Sequence, residues 1–263
     1  MTQRNRPSIP PWLTQDETGQ PWSQERRKGT MTLLKGVLNK YFYLSMSLLI
    51  AAIVVYGFSF TVNDNLFHPA VPRPLILWVH GSAFSLWVAF LIFQSTLVRT
   101  RNVKWHRFFG WFGAALAAVM VPLGIATSII MGRFDTYQLR QSGSDAFLIV
   151  PLYDMVAFAV FIGLAITWRK QPELHRRLIF IGTCGLLDAA FGRIGYLFEH
   201  SLFFLCLDLV IVLGVVRDLF VNRRVHKAYL VSLPALIIVQ AFVIYTWRSG
   251  SAWWLHIAHA LLG

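Results

Sequence analysis

The sequence predicts an all-α integral membrane bundle of seven transmembrane helices, with the N-terminus cytoplasmic and the C-terminus outside. Three observations predict it. Seven apolar runs lie at roughly 41–62, 75–98, 108–131, 146–168, 177–198, 202–220 and 229–247, each near the ~20 residues a helix needs to cross a ~30 Å hydrocarbon core. Basic residues fill every second gap between them. The composition, 56% hydrophobic and 14% charged, supplies too little polar surface for a water-soluble globule.

The basic gaps set the orientation. Arg4, Arg6, Arg26, Arg27, Lys28, Lys35 and Lys40 precede the first run, and Arg99, Arg101, Lys104 and Arg107 separate the second from the third. Arg169, Lys170, Arg176 and Arg177 lie before the fifth run, and Arg217, Arg223, Arg224 and Lys227 before the seventh. Together these are 19 of the 24 lysines and arginines, leaving Arg73, Arg133, Arg140, Arg193 and Arg248 for the other side. The positive-inside rule then places the N-terminus in the cytoplasm of a bacterial-type inner membrane. The net charge of +12 follows from this topology and from attraction to anionic inner-leaflet lipid. No basic stripe with interleaved aromatics lies in a soluble segment, so membrane lipid and not nucleic acid is the expected partner; an oligomer is compatible with the sequence.

Residues 1–40 read as a cytoplasmic polar tail rich in proline (Pro7, Pro10, Pro11, Pro21), closed by a short interfacial helix over 30–40. No secretory signal precedes the first run, so the first helix remains as an anchor. Residues 41–247 form the transmembrane domain. Residues 248–263, with Trp253 and Trp254, read as an interfacial helix on the outer side. Its His256 and His259 form a pair too short to specify a metal site. Helices three and seven carry Pro122 and Pro234 near opposite faces, with no matched Gly/Pro-broken pair of the kind many transporters use. On helix five Gly182, Gly185, Ala189, Gly192 and Gly195 recur at spacings of three and four, which predicts a small-residue face for close helix packing. Cys184 and Cys206 fall inside apolar runs and read as packing residues.

Ionisable groups inside spans are expensive and mark candidate sites. His80 on helix two, Asp154 on helix four, Asp188 and Arg193 on helix five and Asp208 on helix six fall at similar depths in the outer half, with Glu199 and His200 at the outer end of helix five. The functional reading is a site for a transition metal (Zn, Fe or Cu), a haem or a proton-coupled solute, with His80 as ligand or proton acceptor and Arg193 as charge partner. The alternative is an ion-pair network that only fixes helix order. His106 and His175 enter helices three and five at matched depth. As axial haem ligands they would face one pocket; as interfacial residues, each followed by Arg, they would snorkel to the membrane edge. His80 with His200 would form a similar outer pair. This arrangement of histidines resembles membrane b-type cytochromes of the b561 type, a likeness covering helices two to five.

Other chemistries are excluded by missing residues. No G-x-S-x-G, H-E-x-x-H or phosphate-cradling glycine loop occurs. No lysine lies within a span, so a rhodopsin-type Schiff base has no site. Ile76 stands four residues before His80, where a ceramidase-type zinc hydrolase has serine.

Trp78-Val79-His80, Trp105-His106-Arg107, and His175-Arg176-Arg177-Leu178 running on to Leu187-Asp188-Ala189-Ala190 and Arg193 resemble a family of uncharacterised bacterial seven-helix multi-pass proteins. The resemblance covers helices two to five. It implies an all-helical membrane protein, singles out His80, His106, His175, Asp188 and Arg193, and implies no activity. The leading expectation is a metal- or haem-binding redox protein centred on the outer cluster. A proton-coupled carrier or channel is the alternative, and an assembly subunit the third option.

Overall fold

The computed structural model describes residues 24–263, with side chains from residue 29. The polar leader up to residue 23 lies outside the described residues. Every described element is helical. Five stretches are long and apolar enough to cross a membrane: Gly29–Ser59, Ile76–Arg99, Val103–Gln138, Ser144–Thr167 and Lys227–Ser249. They are carried by α1 (Gln24–Ser59), α2 (Ile76–Arg99), α3 (Val103–Arg133), a single turn α4 (Ser144–Phe147) leading into α5 (Ile149–Thr167), and α10 (Lys227–Ser249). A helix satisfies its own backbone, which is what lipid demands.

Local chemistry sets the ends. α6 (Pro172–Cys184) starts on a proline, whose missing N–H is no loss in the first turn. At the start of α10, His226 accepts the Ala228 N–H through its ring Nδ1 at 3.1 Å. The helix ends on Gly250 in the left-handed region at φ 56°. Pro122 and Pro234 sit inside α3 and α10 without ending either helix.

The distribution of polarity is inverted relative to a soluble bundle. Along α10, Val231, Ile238 and Tyr245 recur every seven residues on one face and are 70%, 69% and 68% exposed. The opposite face buries Ser232, Leu236, Gln240 and Val243. The interior also holds Asp154, Asp188, Asp208, Arg177, Arg217 and Asp218. Apolar side chains outward and charged ones inward suit a hydrocarbon solvent.

Two features depart from the sequence expectation. The interfacial segment 30–40 is not a separate helix: α1 runs unbroken through it, over 36 residues. The fifth apolar run is not one helix either. It divides into α6, α7 (Asp188–Phe191) and α8 (Gly195–Glu199). After Cys184 the hydrogen bonds tighten to i→i−3, from Leu186 N to Thr183 O at 3.1 Å and from Leu187 N to Cys184 O at 2.9 Å. At Ile194 the backbone is extended, with ψ 107°. Gly185, Gly192 and Gly195 all lie at or beside these interruptions, where glycine's low helix propensity weakens the helical ladder. Of the expected packing face, Gly182 fits the role: a Cβ there would lie 2.8 Å from Phe161 Cβ of α5, whereas Gly195 faces open space.

α9 (Phe203–Asn222) has membrane-spanning length but carries Asp208, Arg217 and Asp218. α2 packs on α3, α5 between α3 and α6, and α1 against α2, α7 and α9. The last helix, α11 (Ala252–Leu262), docks on α4 and α3. Trp254 donates to Ala146 O at 3.0 Å, and His259 pairs with Asp145 at 2.9 Å. His259 is therefore committed to a carboxylate, not to His256.

Candidate functional site

The break between α6 and α7 sets Asp188 at the first position of α7, where its side chain is buried. Asp154 of α5 is buried as well and lies within electrostatic reach of Asp188. Among the described residues Oδ1 of each has no hydrogen-bond partner. A bond between two carboxyl groups needs a proton on one of them, because an ionised carboxylate only accepts. The pair is therefore a candidate for holding a shared proton.

Asp208 of α9 forms a neighbouring polar point, accepting from Gln240 Nε2 of α10 at 3.3 Å. The Tyr153 hydroxyl lies within electrostatic reach of Asp154, Asp188 and Asp208 and is buried without a hydrogen-bond partner. Sequence reasoning passed over both Tyr153 and Gln240. The signal for Gln240 was available, as a lone amide in the apolar run of the seventh helix. Tyr153 had only its place beside Asp154.

Arg193 flanks this group. Its Nε donates to Thr61 Oγ1 at 3.0 Å, its guanidinium lies 3.7 Å from the Phe58 ring centroid, and Nη1 donates to Ala189 O. It therefore ties the broken segment to the end of α1, within electrostatic reach of Asp188 and His80. The His80 ring stacks on Phe84 at 4.0 Å, and its Nδ1 has no hydrogen-bond partner. Among the described residues no carboxylate orients it in the way that metal-bound imidazoles are held. Glu199 and His200 do not join the cluster. Both are exposed, and the His200 ring bonds to Tyr196 O of its own turn at 3.0 Å. The extended backbone at Ile194 turns α8 away, so the single-helix projection that grouped them with Asp188 does not hold. Among the described residues no group of three or more His, Cys, Asp or Glu side chains is placed to hold a metal ion.

At the opposite end of the bundle, where the basic turns lie, the His106 and His175 ring centroids stand 6.4 Å apart at 75°. His175 Nδ1 lies 2.8 Å from Ala165 O, a contact that requires an N–H and leaves Nε2 free. His106 Nδ1 is buried without a partner.

Beside them lies a charge network that topology counting reads as loop residues. Arg177 grips Asp218 with two bonds, Nε–Oδ2 at 2.9 Å and Nη2–Oδ1 at 2.6 Å, and Arg217 Nη1 reaches Oδ1 at 2.7 Å. All three side chains are 1% exposed. Arg177 also binds Glu173 at 2.7 Å, and Arg217 donates to Asn39 of α1. Burial works to raise the Glu173 carboxyl, but the bond from Arg177 and the charges of Arg176 and Arg177 prevail and hold it below its usual value. Burial, then the nearby Arg177 charge, lowers His226.

Comparison with known protein families, curated proteins and solved structures finds no match to this chain.

Proposed function

We propose that this chain is a seven-span inner-membrane carrier that couples a proton held on the Asp154–Asp188 pair to the movement of a small solute. The single observation that carries the reading is that pair, buried at a break in the fifth span with no hydrogen-bond partner for Oδ1 of either carboxyl group. The spans are α1, α2, α3, α4–α5, α6–α8, α9 and α10, with the basic turns cytoplasmic and α11 outside; support comes from the alternating basic gaps and the inverted polarity.

The chemistry follows from the charges. With the shared proton in place, the pair carries one negative charge beside Arg193. Loss of that proton leaves two facing carboxylates, which repel strongly away from water. The α7–α8 segment can relieve the repulsion by shifting along its packing against α1 and α9, since its helical ladder is already interrupted on both sides. Broken helices near the bilayer midplane are the recurrent device of secondary carriers. Tyr153 and Gln240 would offer the departing proton or the solute a hydrogen-bonding surface. Purified protein in liposomes on a solid-supported membrane, presented with organic cations, amines and organic acids under a proton gradient, tests this. The expected result is a gradient-dependent current for one solute class, lost in Asp188→Asn with helicity unchanged; an Asp188→Asn current equal to wild type overturns the coupling.

A second reading rests on a separate observation, the facing of His106 and His175. Two imidazoles from separate helices, one with Nδ1–H tied to a carbonyl, would suit a haem iron better than a bare metal, which needs further ligands. A haem there would supply one-electron transfer, with His106 and His175 holding the iron. Absorption spectra of the oxidised and dithionite-reduced protein decide it: a Soret band lost in His175→Ala supports this reading, and a colourless, metal-free protein excludes it.

A further inference from the structure

Between α1, α6 and the α9–α10 turn, at the basic end, lies a cavity of about 520 Å³. It is separate from the carboxyl pair and from the two histidines. We infer that this cavity binds a phosphate group, presented either as free phosphate or as the headgroup of an anionic phospholipid.

The hydrogen-bonding groups left unspent in the cavity are mostly donors. Arg177 lines the cavity but is fully engaged with Asp218 and Glu173, so it forms the wall and not the ligand-binding surface. Arg224, also in the lining, makes no hydrogen bond or ion pair with any described residue. Arg176 uses Nη2 on Glu173 at 2.5 Å while its Nε is buried without a partner. Asn39 gives its oxygen to Arg217, which leaves its amide N–H groups free. His226 accepts the Ala228 N–H with Nδ1, so its own proton is on Nε2 and available to donate.

Apart from Asn222, whose amide nitrogen is spent on Asp218 and leaves its oxygen, the remaining groups of Arg224, Arg176, Asn39 and His226 are donors. A phosphate, with several acceptor oxygens and up to two negative charges, is the complement of such a set, and arginine's planar fork matches it. His226 is also the N-terminal cap of α10, so the positive end of a 23-residue helix faces the same region. Glu173 is the one negatively charged residue of the lining, and Arg176 and Arg177 already neutralise it.

The test has two arms on the full chain. In delipidated detergent solution, inorganic phosphate is titrated calorimetrically against wild type, Arg224→Gln and Arg223→Gln. In mixed micelles of phosphatidylglycerol and phosphatidylcholine, native mass spectrometry counts retained anionic lipid for the same three proteins. Arg224 has no partner to lose and Arg223 is its neighbour outside the lining, so both variants fold. Expected is saturable binding in one arm at least, weakened about tenfold or more by Arg224→Gln, as for a lost charge-assisted contact, and unchanged by Arg223→Gln. Binding in the first arm identifies free phosphate; binding in the second arm alone identifies lipid. No saturable binding in either arm, or equal losses in both variants, overturns the inference.

Discussion

Replacing Asp218 with asparagine keeps its shape and removes its charge. Arg177 retains Glu173, but Arg217 is left with Asn39 as its only other hydrogen-bond partner. Both guanidinium groups are 1% exposed, so water cannot take the place of the lost carboxylate. Removing one partner of a buried pair costs about 3–5 kcal/mol, mostly through the charge left behind. At ~2–4 °C per kcal/mol for a chain of this size, the thermal midpoint in detergent should fall by about 6–20 °C. Glu173→Gln is the internal control. Its side chain is 57% exposed, and such ion pairs contribute at most about 1 kcal/mol, or ~4 °C. Adding Arg217→Met to Asp218→Asn removes the stranded charge and should recover part of the loss. The assay is a melting curve followed by size-exclusion chromatography. An Asp218→Asn midpoint within about 2 °C of wild type, or no recovery in the double variant, refutes the reasoning.

Other consequences follow from the same contacts. Gly57 of α1 meets the backbone of α7: a Cβ there would stand 2.8 Å from Ala190 Cα, and no flexible side chain can yield. Gly57→Ala should therefore destabilise by about 1–3 kcal/mol, read as a lower thermal midpoint. Gly36→Ala, which meets nothing within 4 Å, should be neutral or slightly stabilising. Acidification should also destabilise the basic end in two windows. His226 is lowered, so the folded state resists its protonation and stability falls as pH drops below the usual value of 6.5 towards the folded one. Glu173 is lowered too, so its contribution is present above 4.5 and is lost as pH falls through its folded value. Melting curves across this range should lose the first step in His226→Gln; a first step that persists removes His226 as its cause.

The helical architecture was legible because lipid imposes simple rules of length and polarity. Asp154, Asp188, Asp208, Arg193 and His80 were legible as charges out of place, and the fold gathers the first three around Tyr153. Glu199 and His200 were misplaced because a 100° projection assumes an unbroken helix, and the backbone turns at Ile194. The glycines of the fifth run illustrate an ambiguity in sequence reading. Small-residue spacing serves close packing and helix interruption equally well, and only the contacts of Gly182, Gly185 and Gly195 separate the two. Arg177, Arg217 and Asp218 were hidden by the positive-inside rule, which explains any arginine near a cytoplasmic turn. Their burial depends on long-range partners, one of them on α1, that spacing cannot reveal.

The proposed carrier depends on one proton shared between Asp154 and Asp188. Infrared difference spectroscopy of the protein in lipid, across a pH step and in heavy water, reads it directly. The account predicts a carbonyl-stretch band of a protonated carboxyl at neutral pH, sensitive to deuterium and absent in both Asp154→Asn and Asp188→Asn. A wild-type spectrum without that band, or one in which the band survives both substitutions, would contradict it.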